Sequence, residues 1–246
     1  MRLMVPMLVL LLGGCERPAV PTPDAGQGPL TPDPETFDCR AAGAGIGERQ
    51  SPVPYSCLVD RTCRTRLVSA HRAAGGDLGE LAPENTIAAV RAAVVLGVDF
   101  IETDPRPTAD GVIVNVHDTD VSRVANGTGE VSAMTLAQVQ ALTLKADKYA
   151  GDFGCERIPT LRQVLEAAKG RAMVLVDANK TDRVDLLVGD VQAAGALEWA
   201  IFDTSSPDKI ERALLLEPGL FTMIRVGTVA DLDAQLARFA AHPPII

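Results

Sequence analysis

The chain has 246 residues, 47% of them apolar and 22% charged, a composition that excludes disorder over most of its length. Its 32 acidic and 23 basic residues leave a net charge of −9, so no basic excess exists to displace the counterions of a nucleic acid. An acidic protein that takes an anionic substrate needs a metal or a local basic pocket, and with only three histidines the position of each is informative.

Residues 1–14 read MRLMVPMLVLLLGG: one basic residue, then an apolar run too short to span a bilayer comfortably. The run ends in Leu12-Gly13-Gly14-Cys15. Small residues before a cysteine resemble the lipobox of bacterial lipoproteins, in which that cysteine becomes the lipidated first residue of the mature chain. The resemblance makes residues 1–14 a signal peptide and Cys15 the lipidation site. The protein is then exported and held by a lipid anchor in the bacterial envelope, facing the periplasm or on the outer membrane. An ordinary cleaved signal and an uncleaved anchor are the alternatives. Residues 15–38, rich in Pro, Gly and Thr, read as a tether with no fold of its own. Residues 39–65 form a cysteine-containing extension. With Cys15 set aside, Cys39, Cys57, Cys63 and Cys155 remain, and four cysteines in an exported chain predict two disulfides. Cys57–Cys63 is the easiest local pair and would leave Cys39 for Cys155, but spacing alone leaves the connectivity open.

From residue 66 onward, short apolar runs alternate with capped helices. Leu67–Ala70 is the first predicted strand. A helix over Thr86–Leu96 has Asn85 as its N-cap and Gly97 just past its end. Val98–Asp104 is the second strand. Thr135-Leu-Ala-Gln138 and Thr160-Leu-Arg-Gln163 have capping-box form, which starts helices at Leu136 and Leu161. Ala172–Asp177 is the third strand, apolar on both faces. A helix over Arg183–Ala194, a strand near Trp199–Phe202 and a helix over Asp208–Leu216 behind Ser206-Pro207 follow. Leu220–Val226 is the fifth strand, Thr228 caps the next helix, and Pro244-Ile245-Ile246 looks like the start of a sixth strand.

This alternation predicts a parallel sheet with right-handed crossovers, either an open doubly wound sheet or a (β/α)8 barrel. No G-x-G-x-x-G or G-x-x-x-x-G-K-[ST] occurs, and the polar candidates sit at C-terminal strand ends, which favours the barrel.

Those candidates fall in two short stretches. His71-Arg72 ends strand one. Glu102 and Asp104 are two apart on strand two, so their carboxylates share a face above Phe100. Asp110-Gly111 predicts a two-residue hairpin turn, which would set Asp104 opposite His117. Asp177, at the end of strand three, supplies a third carboxylate, and three hard oxygen donors make a divalent-cation site. A cation that polarises a phosphoryl oxygen, together with two imidazoles, points to phosphodiester cleavage: one histidine removes a proton from the attacking oxygen and the other protonates the leaving alkoxide. Arg72 would hold a phosphate oxygen. His242, before Pro243-Pro244, has no such company and reads as a surface residue.

HRAAGGDLGELAPENTIAAV, GVDFIETDPRPTADGVIVNVHD, NGTGEV and IPTLRQVL, in this order, resemble the bacterial glycerophosphodiester phosphodiesterase family from about Leu67 to the C-terminus. The resemblance implies a (β/α)8 barrel that hydrolyses glycerophosphodiesters to sn-glycerol 3-phosphate and an alcohol, with calcium or magnesium as cofactor. It makes His71 and His117 the general acid/base pair, Glu102 and Asp104 metal ligands, and Arg72 a phosphate contact. It further implies that the glycerol 2-hydroxyl attacks phosphorus and that a cyclic phosphate is then hydrolysed.

Three departures stand out. The usual glycine after His-Arg is Ala73. The usual Glu-x-Lys of strand three is Asp177-Ala178-Asn179-Lys180, which keeps Asp177 as a shorter ligand and puts the substrate-binding Lys180 one place late. Only about six strands precede Ile246, and a barrel open at strands one and six exposes unpaired edges and an apolar interior, which favours a truncated reading frame. A non-catalytic lipoprotein that keeps the barrel as a binding module, and a cyclising phosphodiesterase acting on lysolipids, are the competing functions. Neither headgroup preference nor oligomeric state has a signature in the chain.

Overall fold

The computed structural model describes residues 32–42, 56–60, 62–75 and 81–245. The signal peptide, Cys15 and the tether up to residue 31 lie outside them. Five parallel strands form one sheet: β1 (Ser69–Ala70), β2 (Phe100–Thr103), β5 (Met173–Asp177), β6 (Ala200–Thr204) and β7 (Phe221–Ile224). A hairpin, β3 (Pro105–Pro107) and β4 (Ile113–Asn115), leaves the end of β2 as a separate two-stranded sheet. The parallel strands hydrogen-bond strictly in chain order, β1-β2-β5-β6-β7. No reversal of order, and hence no topological switch point, occurs among them, so the sheet is that of a barrel and not of a doubly wound fold. Ile245 adds a parallel bridge to Met223 beyond β7, where the sixth strand was expected.

Helices follow the strands: α2 (Ile87–Val95), α3 (Leu136–Gln140), α4 (Leu161–Ala168), α5 (Val184–Ala193), α6 (Pro207–Leu216) and α7 (Val229–Arg238), with a short α1 (Ser56–Val59) before β1. No helix among the described residues is long and apolar enough to cross a membrane. The capping boxes at Thr135/Gln138 and Thr160/Gln163 are both formed. Ser206 and Thr228 cap α6 and α7, and Pro207 sits in the first turn of α6.

Alternation along the strands divides the apolar side chains between two cores. Outward residues Ile101, Val174, Val176 and Phe202 pack with Val90, Leu161, Leu165 and Leu187 of the surrounding helices. Inward residues Met173, Leu175 and Ile201 pack with Phe100, Phe221, Met223 and Leu58 inside the sheet's curve. The inward residues at the C-terminal strand ends are polar instead, which sets a charged rim over an apolar floor.

Two expectations are corrected. Asn85 is not the N-cap of α2; Thr86 is, with its hydroxyl accepting from the Ala89 N–H, while Asn85 takes a left-handed φ of 58°. The hairpin register is shifted by one, pairing Pro105 with Asn115 and Pro107 with Ile113. Its loop has three residues, not two. Thr108 N–H donates to the Val112 carbonyl, Gly111 N–H returns to the Thr108 carbonyl, and Gly111 takes φ +77°. That is a tight turn followed by a left-handed residue, and it sets Val116 against Asp104, through a 2.9 Å bond, in place of His117.

The folded region also begins before the boundary expected at residue 38. Phe37 is 1% exposed and stacks on Phe153 at 6.3 Å between centroids. Asp38 is buried; Arg40 beside it and the Asp152 N–H hold its carboxyl down at about 2 against the effect of burial. Cys39–Cys155 and Cys57–Cys63 are both bonded, the first joining residues 116 apart in the chain with Cα atoms 5.8 Å apart. The long link constrains the unfolded chain most, so Cys39→Ser should lower the unfolding free energy by about 2–4 kcal/mol. Non-reducing urea denaturation of the variant against the parent checks this.

Candidate active site

Two neighbouring strands bring three carboxylates to one point. β2 and β5 are parallel neighbours with Glu102 level with Leu175, and Asp104 and Asp177 stand at the strand ends above them. Glu102, Asp104 and Asp177, all buried, each offer an oxygen within 4.8 Å of the others. Burial pushes the Glu102 carboxyl up to about 7, and repulsion from Asp104 and Asp177 adds to this, against a 2.9 Å bond from the Arg72 N–H. Three side-chain cations sit in the same rim: Lys180 Nζ lies 3.1 Å from Asp104 and 4.0 Å from Asp177, Arg225 lies 3.6 Å from Asp177, and Arg72 Nε lies 4.0 Å from Asp104. The donor set is all carboxylate oxygen, and the three oxygens converge within 4.8 Å of one another. Both features fit a hard divalent ion.

Around the cluster, each carboxylate is held in place. Asn85 grips Asp104 from both sides, its amide donating to Oδ2 at 2.8 Å and its carbonyl accepting from the Asp104 N–H at 3.3 Å. The left-handed φ of Asn85 is what aims the carboxamide there. Asn179 binds Asp177 Oδ1 at 2.7 Å from a single helical turn, Ala178–Lys180, that also returns Lys180 to the rim. Its extra residue relative to Glu-x-Lys is absorbed in that turn.

The loop after β1 is strained. Arg72, Ala73 and Ala74 all have positive φ, 50°, 57° and 68°. Non-glycine residues in this region cost about 1–2 kcal/mol each. Ala73 thus occupies a conformation that the glycine of the resemblance would adopt freely. Gly75 closes the loop against Glu84, and a Cβ there would fall 2.2 Å from the Glu84 Cα. The strain directs the Arg72 N–H at Glu102 and the Arg72 guanidinium at Glu84, 3.2 Å away. Arg72 Nε is buried without a hydrogen-bond partner among the described residues.

His71 is exposed at the end of β1. His117, just past β4 and partly exposed, has Nδ1 2.8 Å from Asp118 Oδ1. Burial would raise Asp118, but Arg123 and His117 hold it at about 2, so it accepts throughout the neutral range. Arg106 fastens this corner to the rim, donating to the carbonyls of His117 at 2.6 Å, Val116 at 3.1 Å and Lys180 at 3.3 Å. His242 is exposed in the turn after α7, as expected of a surface residue.

The structure thus gathers Arg72, Glu102, Asp104, Asp177 and Lys180 into one bonded cluster. The sequence reading overlooked Asn85 as a second-layer partner, together with Arg106, Arg123, Asn179 and the Asp203–Arg225 pair. Arg225 Nε lies 2.9 Å from Asp203 Oδ1, and Asp203 is level with Asp177 on the neighbouring strand. An Asp ending one strand and an Arg just after the next were available as a signal, because inward positions at neighbouring strand ends meet.

Residues 71–212 match the model of the glycerophosphoryl diester phosphodiesterase family. The chain belongs to this family. A glycerophosphodiester phosphodiesterase from Caldanaerobacter subterraneus subsp. tengcongensis is 46% identical over 100 residues, which are 41% of this chain and 39% of that protein. The chain thus matches less than half the length of that relative. Among solved structures, a glycerophosphodiester phosphodiesterase from Agrobacterium tumefaciens is 28% identical, with a TM-score of 0.55 over 65% of this chain and 67% of the other. A second, from Parabacteroides distasonis, shares the fold with a TM-score of 0.63 at 24% identity, over 77% of this chain and 65% of the other.

The raised Glu102 makes a signed pH dependence. In chelator-treated protein its contribution to stability is fully present below about pH 4.5. It is lost as the pH rises through about 7, because the unfolded chain ionises first. Glu102→Gln removes that loss, so its stability relative to the parent should climb between those pH values and level off about 1–3 kcal/mol higher. Urea midpoints across pH 4–8 check both direction and plateau.

Proposed function

We propose that this family member hydrolyses glycerophosphodiesters to sn-glycerol 3-phosphate and an alcohol, with metal assistance and a pair of histidines as general acid and base. The observation that carries the reading is the buried cluster of Glu102, Asp104 and Asp177, at the rim where barrel enzymes assemble their chemistry. A divalent ion held by these three, calcium and magnesium both suiting the donors, would supply Lewis-acid polarisation of a phosphoryl oxygen.

The remaining work falls to the chain's own groups. The Arg72 guanidinium, whose Nε makes no hydrogen bond among the described residues, and Lys180 receive the phosphate oxygens in an otherwise acidic protein. Asp118 orients His117 through Nδ1, which leaves Nε2 to exchange a proton with substrate. One histidine takes the proton from the glycerol 2-hydroxyl as its oxygen bonds to phosphorus; the other gives a proton to the departing alkoxide. Water then opens the cyclic phosphate with the roles reversed, which restores both rings.

Outside the barrel, the reading places the protein in the bacterial envelope, exported and lipid-anchored at Cys15. Two disulfides, which persist in oxidising compartments, support it. Cys15→Ser should move the protein from the membrane fraction to the soluble one when both are blotted after expression in a bacterium.

The catalytic test is release of sn-glycerol 3-phosphate from glycerophosphocholine and glycerophosphoethanolamine, with loss of turnover in chelator. A cyclic phosphate as end product would instead mark the cyclising alternative. His71→Ala and His117→Ala should each lower kcat by at least about 100-fold while calorimetric metal binding is kept. Glu102→Ala should lose both, and unchanged metal affinity there would remove Glu102 from the ligand set.

A further inference from the structure

Arg123 lies outside the carboxylate cluster, at the end of the helical turn Val121–Arg123 that follows the hairpin. Its guanidinium is bonded along every edge. NH1 and NH2 reach the two Glu84 oxygens at 2.8 and 2.6 Å, and Nε donates to Asp118 Oδ2. Both carboxylates are committed elsewhere: Glu84 also accepts from Arg72 NH1 at 3.2 Å, and the second Asp118 oxygen meets His117 Nδ1 at 2.8 Å. The run Arg72–Glu84–Arg123–Asp118–His117 therefore joins the loop after β1 to the end of the hairpin. Those are the two stretches from which the phosphate contact and one proton-transfer group come.

An isolated surface ion pair contributes little. This one differs in geometry and burial. The fork of one Arg spans two carboxylates 34 residues apart in the chain, and the Glu84 side chain is only 9% exposed. Asp118, by contrast, is 37% exposed and follows His117 directly on an irregular segment. With one oxygen pinned by Arg123, the other can only face the ring. Without Arg123 the carboxylate is free to turn into water.

We infer that Arg123 is a positioning residue for His117: it acts through Asp118 to hold the imidazole in the tautomer with hydrogen on Nδ1 and Nε2 bare. The inference rests on the phosphodiesterase reading for its effect on turnover, but not for its effect on the ring. Arg106, which binds the His117 carbonyl, fixes the backbone and leaves the ring orientation to Asp118.

The experiment uses full-length Arg123→Gln, Asp118→Ala and the double variant, with Arg123→Lys as a version that keeps the charge but loses the fork. Nitrogen-15 correlation spectra of the histidine rings in chelator-treated protein report the tautomer without any need for turnover. The expected result is a single Nδ1–H form for His117 in the parent, a mixed form in Arg123→Gln and Asp118→Ala, and a partial loss of the lock in Arg123→Lys. In metal-loaded protein, kcat on glycerophosphocholine should fall about 10–100-fold in Arg123→Gln, with KM changed less than about three-fold. The double variant should be no worse than Asp118→Ala, since both act through one contact. An unchanged His117 tautomer in Arg123→Gln, or losses in kcat that multiply in the double variant, overturns the inference. If Arg123→Gln fails to fold, Arg123→Lys decides on the same spectra. A parent that turns over no glycerophosphodiester removes the functional reading alone, since the ring spectra still decide what Arg123 does.

Discussion

Mutual repulsion among Glu102, Asp104 and Asp177 is the constraint around which the rest of the site is arranged. Parallel pairing of β2 with β5 leaves these side chains no choice of direction, because inward positions at adjacent strand ends converge. A buried trio of that kind is unfavourable unless opposite charge or hydrogen-bond donors meet it. The chain supplies several: the Arg72 N–H on Glu102, Asn85 and Lys180 on Asp104, Asn179 and Arg225 near Asp177. These partners come from different loops, so the charge cluster is also what ties the loops above the sheet to one another. Even so, Glu102 stays well above the ordinary carboxylate range.

That arrangement explains why the strained loop after β1 is retained. Three successive left-handed residues are a local expense, although two of them, Ala73 and Ala74, are also buried in the main core. The same three conformations turn a backbone N–H inward at Glu102 and send the Arg72 side chain back toward Glu84. Asn85 repeats the device on the other side of the loop, its positive φ exchanged for a two-point grip on Asp104. Local conformation and site electrostatics are therefore one problem here, solved at four backbone positions.

Much of this could be read from residue order. Period-two spacing put Glu102 and Asp104 on one face, Thr-x-x-Gln fixed the starts of α3 and α4, and the strand–helix alternation gave the barrel order. What escaped was geometry that depends on turn type. Asp-Gly marks a turn, but the Thr108 hydroxyl, which accepts from the Val112 N–H and donates to Asp110, stabilises a three-residue loop and slides the pairing by one. Asn85 before Thr86 offered two residues that cap helices well, and only tertiary demand from Asp104 decides which one caps. The Asp203–Arg225 pair and the Glu84–Arg123 link join residues 22 and 39 apart, and no local pattern encodes such contacts.

The close approach of Gly75 to Glu84 bears on which variants of this gene can survive. Every single-base missense change in a glycine codon introduces a side chain with a Cβ, and here that atom would stand inside the backbone of Glu84. Sequence drift can relax Ala73 toward glycine, but position 75 has no neighbouring amino acid to visit without displacing Glu84 and, with it, both arginines that Glu84 holds. Among the described residues of the loop, Gly75 is thus locked by non-bonded contact distance, independent of whatever substrate or cation the site selects.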